Sequence, residues 1–176
     1  MWNGRLPNIT QILCCAIPDL FILTVTIRLG IVLVVEPTQI ILKILTKKDQ
    51  DSLNVMRHSC AHIMARAVMR KFEGVQLAFG PTIDGGFYYD FELSRPLTPD
   101  DLTELEKRMK KIVKGNHKFE TWTKPIDEAI AFFKEQDQPY KVELIEDLAK
   151  KGETEVRFYQ QDSFVDLCAG PHVPRT

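Results

Sequence analysis

From about residue 51 onward, apolar and polar residues recur with regular periods. Residues 53–72 place Met56, Cys60, Ile63, Met64, Ala67 and Val68 three and four positions apart, the repeat of one helix face, and Asp51-Ser52 stands where a cap belongs. Gly80-Pro81 and Asp84-Gly85-Gly86 are turn signals around a short extended piece. Residues 87–91 then alternate, with Phe87, Tyr89 and Phe91 on one side of a strand. Thr98-Pro99-Asp100-Asp101 opens a second helix with a hydroxyl cap, a proline in the first turn and acids at the positive dipole end. Leu102, Leu105, Met109, Ile112 and Val113 give that helix its apolar stripe up to about Lys114, where Gly115 stops it. Residues 118–122 read as a strand, 126–136 as a helix and 140–150 as a further helix. Residues 155–160 and 163–167 read as a hairpin turning at Gln161-Asp162. Helices alternating with antiparallel strands predict an α+β fold.

The first fifty residues differ in kind. Residues 12–35 are apolar and rich in β-branched side chains, yet Pro18, Asp19 and Arg28 fall within the run. Arg28 alone would cost about 2.5–3.5 kcal/mol at a bilayer centre, which argues against a transmembrane helix. Asp19 and Arg28 also bracket the apolar core in a way no signal peptide does. Short buried strands at 21–28, 30–35 and 39–45 are the plainer reading. Pro7, Pro18, Gly30 and Pro37 interrupt residues 1–41 and leave no clear amphipathic helix there. That stretch is therefore expected to form strands against a neighbour or to lie exposed, with the chain from residue 42 onward folding without it.

Composition excludes several classes. With 176 residues, 44% hydrophobic and 27% charged, the chain is an ordinary globular protein, neither disordered nor fibrous. A net charge of −1 means that any nucleic-acid contact must come from a local patch. Lys107, Arg108, Lys110, Lys111, Lys114, His117 and Lys118 concentrate positive charge, read first as a solvated helix face and second as a nucleic-acid contact. An adjacent cysteine pair and two distant cysteines make no disulfide framework, so a reducing compartment fits.

Candidate chemistry is confined to a few residues. His58 and His62 are four apart on the first helix and project from one face. Cys168 and His172 repeat the spacing, but Gly170-Pro171 between them excludes a helix and makes this a loop. Three imidazoles and a thiolate would suit tetrahedral zinc, with metal–ligand distances of about 2.0–2.3 Å. Taken singly, the histidines read equally as helix-surface residues and Cys168 as a buried structural thiol.

Four stretches carry a resemblance: RHSCAHIMARAV (57–68), FGPTIDGGFYYDFE (79–92), PYKVELI (139–145) and FVDLCAGPHVPRT (164–176). In this order they resemble the editing domain, or second additional domain, of threonyl-tRNA synthetases. The paired H-x-x-x-H and C-x-x-x-H motifs are shared with alanyl-type editing domains. The resemblance implies an antiparallel sheet packed around a central helix, a cytoplasmic protein, and residues 51–176 as the editing domain. It implies that residues 42–50 are the remnant of a preceding small β-grasp domain and its linker, whereas residues 1–41 do not match. No class II signature motif is present, so neither an ATP site nor aminoacylation is expected of this chain alone. The catalytic core of the longer synthetase and the acceptor end of tRNA(Thr) are the implied partners.

The implied reaction is hydrolysis of Ser-tRNA(Thr). A missing methyl discriminates by only about 1–3 kcal/mol in a pocket, so a second site must remove serine. On the family pattern His58, His62, Lys141, Asp166, Cys168 and His172 line that site. His58 would orient or deprotonate the water, and Lys141 would face the developing charge or the terminal ribose. Asp166 would hold the serine ammonium or orient a histidine. The alternatives are a solvated Lys141, Asp166 as a turn residue, a freestanding zinc-dependent alanyl-type hydrolase that uses His58, His62, Cys168 and His172 as ligands, and a non-enzymatic tRNA-binding fragment. The threonyl-type resemblance favours a metal-free site.

Overall fold

The computed structural model describes residues 51–176 in full and, as backbone, residues 9–15, 31–36, 39–44 and 50. Strand β1 (Ile9–Cys15) is followed by β2 (Ile31–Glu36) and β3 (Gln39–Ile44), which pair antiparallel with each other. The strand expected at 21–28 lies outside the described residues, as do residues 45–49 of the expected linker. β1 was not foreseen as a strand. It runs antiparallel to β6 (Gly86–Glu92), from Ile9 opposite Glu92 to Cys15 opposite Gly86.

Helix α1 spans Gln50–Met69, three residues earlier than its periodicity suggested. Asp51 consequently lies in the first turn, where its charge meets the positive end of the helix, and is not the cap. β4 (Gln76–Leu77) and β5 (Thr82–Ile83) pair with β6 on the side away from β1. Alternation along β6 buries Phe87, Tyr89 and Phe91, as expected. Helix α2 (Pro99–Lys114) carries a complete capping box between Thr98 and Asp101. Its buried stripe is Asp101, Leu105, Met109 and Ile112, whereas Leu102 faces outward in the first turn and is 51% exposed. On its outer face Arg108 pairs with Glu104, and Lys110 with Glu106, the geometry of a solvated helix surface.

β7 (Phe119–Pro125), α3 (Ile126–Glu135), α4 (Pro139–Lys150), β8 (Glu155–Gln161) and β9 (Phe164–Leu167) complete the chain, with β7-β8-β9 forming an antiparallel sheet. The β8–β9 turn falls one residue later than expected. Gln161 pairs with Phe164, and Asp162 takes φ 55°, a conformation that aspartate tolerates better than glutamine. Two apolar clusters result, giving the expected α+β architecture. One joins α1, α2 and β6, and the other joins α3, α4 and the β7–β9 sheet.

Polar clamps join the two clusters. Gln138, buried at the start of α4, accepts from Leu77 N–H at 2.7 Å and donates to the Val75 carbonyl at 2.8 Å, which ties α4 to β4. Arg66 of α1 and Arg70 just beyond its end both engage Asp162, which holds the β8–β9 turn against the helix. The site residues of four elements are brought together by these contacts. Among the described residues no helix is long and apolar enough to cross a membrane.

Candidate functional site

A cavity of about 740 Å³ opens between α1, β6, α4 and the loop that follows β9. His58, His62, Lys141, Asp166 and Cys168 all line it. His172 stands behind Cys168. The i, i+4 spacing on α1 turns both of its histidines toward the Cys168–His172 loop. Cys168 Sγ lies 3.2 Å from His58 Nε2 and 3.3 Å from His172 Nε2. The His172 ring centroid is 4.3 Å from that of His58 and 4.2 Å from that of His62. The two motifs therefore converge, although one sits on a helix and the other on a loop more than a hundred residues away.

Lys141 and Asp166 form the second half of the cavity. Both are buried, at 3% and 1% exposure, which excludes a solvated lysine and an exposed turn aspartate. Lys141 Nζ is 2.7 Å from Asp166 Oδ1. The Tyr89 hydroxyl donates to Asp166 Oδ2 at 2.6 Å and accepts from Lys141 Nζ at 3.1 Å. His62 Nε2 is 3.8 Å from the same carboxylate, too far for a hydrogen bond. The carboxylate is thus engaged by an ammonium and a phenol of this chain.

Burial sets the protonation states. His58 titrates below the ordinary histidine value because desolvation outweighs the pull of Asp166. His62 and His172 are pushed lower still, first by burial and then by neighbouring imidazoles, His58 being one in each case. Burial raises the Cys168 thiol to about 12, with the Asp166 charge adding to the effect. Tyr89 is raised well above its usual value by burial and by Asp166. At neutral pH the site therefore holds three neutral imidazoles, a thiol and a phenol. A neutral imidazole beside an open cavity can accept a proton from water, whereas an uncharged thiol is a poor nucleophile.

The donor atoms of His58, His62, Cys168 and His172 all lie within 4.8 Å of one another. Tetrahedral ligands at about 2.0–2.3 Å from one ion lie about 3.3–3.8 Å apart, so the four groups would have to draw together to share an ion, while the mixed nitrogen and sulfur set is of the kind zinc takes.

Sequence patterns did not mark several residues that shape the site. Tyr89 reads as one more aromatic on the buried face of β6, yet its hydroxyl links Lys141 to Asp166. Gly80 lies flat against the Tyr89 ring, and any Cβ there would fall inside van der Waals contact. Gly170 does the same against the Tyr159 hydroxyl and has φ 79°, which favours glycine doubly. Ser59, 2% exposed, bonds to the His172 ring at 3.1 Å. The glycines announced turns in the sequence. Nothing local announced the tyrosine or the serine.

Comparison with known proteins places these motifs. Residues 156–176 match the model for the threonyl and alanyl tRNA synthetase second additional domain. The chain is 51% identical over 135 residues to threonine–tRNA ligases from Caldanaerobacter subterraneus subsp. tengcongensis and Clostridium novyi, and 53% identical over the same length to that of Clostridium botulinum strain Langeland. Each alignment covers 77% of this chain and 21% of the relative, so the chain spans about a fifth of the length of the curated relatives it matches.

Proposed function

Given that this chain carries the second additional domain of the threonyl and alanyl tRNA synthetase family, we propose that it hydrolyses the ester of Ser-tRNA(Thr), with the acceptor end of tRNA(Thr) as its partner. The observation that supports this reading is the convergence on one cavity of the imidazole–thiol quartet and the Lys141–Asp166–Tyr89 network. His58, the least buried of the three site imidazoles, takes the proton of the attacking water. Lys141 places its ammonium at the negative charge that develops on the ester oxygen. Asp166 and Tyr89 hold that ammonium in place. Protonated Cys168 and the buried His62 form the wall against which the amino-acid side chain packs, with His172 behind Cys168. The extra methyl of threonine would crowd this wall, whereas serine fits.

The donor chemistry of the quartet supports a second reading, in which His58, His62, Cys168 and His172 draw together to hold zinc. When bound, zinc polarises an ester carbonyl and lowers the pKa of a coordinated water toward about 7. We favour the metal-free reading, since His58 and Lys141 already supply a base and a cation.

Deacylation of Ser-tRNA(Thr) and Thr-tRNA(Thr), with and without a chelator, tests both readings. Hydrolysis of the seryl ester that spares the threonyl ester and survives the chelator is the expected result. Loss in chelator with recovery on added zinc would replace the metal-free reading. Absence of hydrolysis under every condition would leave a tRNA-binding fragment.

A further inference from the structure

We propose that Ser59 is a positioning residue that holds His172 as its Nδ1–H tautomer, so that the bare Nε2 faces the Cys168 sulfur. Three groups surround the Ser59 hydroxyl: the Val55 carbonyl at 2.8 Å, the Val173 N–H at 3.0 Å and His172 Nδ1 at 3.1 Å. A hydroxyl has one proton and two lone pairs. A carbonyl can only accept, so the shortest of the three contacts takes the proton. A backbone N–H can only donate, so Val173 fills one lone pair. The remaining lone pair needs a donor, and that donor is the Nδ1–H of His172.

The opposite end of the ring faces sulfur. His172 Nε2 lies 3.3 Å from Cys168 Sγ, and a protonated thiol has one proton to give. His58 Nε2 stands 3.2 Å from the same sulfur, the shorter of its two imidazole contacts, so the sulfur alone assigns neither ring and the Ser59 hydroxyl decides the tautomer. Phe119 stacks on the His172 ring at 4.9 Å and 10°, and Tyr159 meets it edge-on at 4.5 Å. The ring plane is therefore fixed by packing, and the proton's position by hydrogen bonding. Val173, the residue after His172, hangs on the same hydroxyl, so one buried serine on α1 sets both the ring and its loop. The consequence for catalysis rests on the hydrolytic reading: His172 there turns a bare Nε2 toward the sulfur and has no proton to donate to an ester. The tautomer itself does not depend on that reading.

Long-range proton–nitrogen correlation spectra of the full chain labelled with ring-¹⁵N histidine decide the matter at neutral pH. The expected spectrum shows His172 with Nδ1 protonated and Nε2 bare. In Ser59→Ala the ring should move toward a mixture of tautomers, with kcat for Ser-tRNA(Thr) falling about 10–100-fold and KM nearly unchanged. A wild-type spectrum with Nε2 protonated, or an unchanged tautomer in Ser59→Ala, would overturn the proposal. If the variant does not fold, the wild-type spectrum still passes judgement alone. The Nδ1–H form in a wild-type chain without hydrolytic activity would uphold the tautomer and defeat the hydrolytic reading.

Discussion

Helices α1 and α2 pack together in one core, joined at their ends by Lys71 reaching Asp101 and Glu104, but they place their polar residues in opposite ways. In α2 the inward stripe is apolar apart from the capping Asp101, and the charged residues point outward into pairs along the helix. In α1 every residue from Ala61 to Val68 is buried, including His62 and Arg66. Such burial is costly unless each polar group finds a partner. Ser59 bonds to the His172 ring, His62 packs its own ring against that ring, and Arg66 reaches Asp162 in the β8–β9 turn through one guanidinium nitrogen while its other two stay buried without a hydrogen-bond partner. A helix with one wet face contributes stability. A helix with polar residues on its dry face is where chemistry is to be sought.

That contrast can be broken by substitution. The largest effect is expected at His58: His58→Ala should lower Ser-tRNA(Thr) deacylation about 10²–10⁴-fold with little change in melting temperature, since the group acts on water and not in the core. A variant as active as wild type would remove His58 from its role. Lys141→Ala should lower deacylation about 10²–10³-fold and also destabilise the fold by about 3–5 kcal/mol in denaturant melts, because it leaves Asp166 buried without its cation. Leu105→Ala, on the apolar stripe of α2, should cost a similar about 2–5 kcal/mol yet leave the rate of the folded enzyme unchanged. Should its rate fall as far as that of His58→Ala, the division of labour between the helices would be false.

Acid sharpens the same comparison. The folded-state pKa values of His62 and His172 are lowered, so the unfolded chain takes up protons first as the pH falls. The stability these groups contribute is full above the unfolded value of about 6.5 and drains away as the pH falls below it toward the folded values. Melting temperature should therefore decline between about pH 7 and pH 5.5, and less steeply when His62 is replaced by glutamine. A flat profile for wild type would contradict the neutral, buried imidazoles. The smallest effect is expected at the α2 cap: Thr98→Ala should cost about 1 kcal/mol in thermal melts with no change in deacylation.

Local rules made α2 and β6 legible. Thr98-Pro99 and the Leu105–Met109–Ile112 stripe define α2 before any packing is known, and strict alternation defines the buried face of β6. The start of α1 was less legible because an acid in the first turn and an acid at the cap look alike in sequence. The β8–β9 turn slipped by one residue because Gln161 closes the ladder from inside the core. β1 escaped notice because its pairing with β6 is fixed by a partner far away in the chain. The site divides in the same way. His58, His62, Cys168 and His172 were found from repeated spacing, and Lys141 and Asp166 from resemblance. Tyr89, Ser59 and Gln138 act through hydrogen bonds to residues remote in sequence, and no periodicity encodes those.

Substrate choice is what most directly distinguishes a seryl-ester editing site. Initial rates of deacylation by the full chain, measured side by side on Ser-tRNA(Thr), Thr-tRNA(Thr) and Ser-tRNA(Ala), test it in one experiment. Preferential hydrolysis of Ser-tRNA(Thr), lost in His58→Ala, is the result predicted here. Hydrolysis of Ser-tRNA(Ala) in preference, or equal rates on the seryl and threonyl esters of tRNA(Thr), would contradict it.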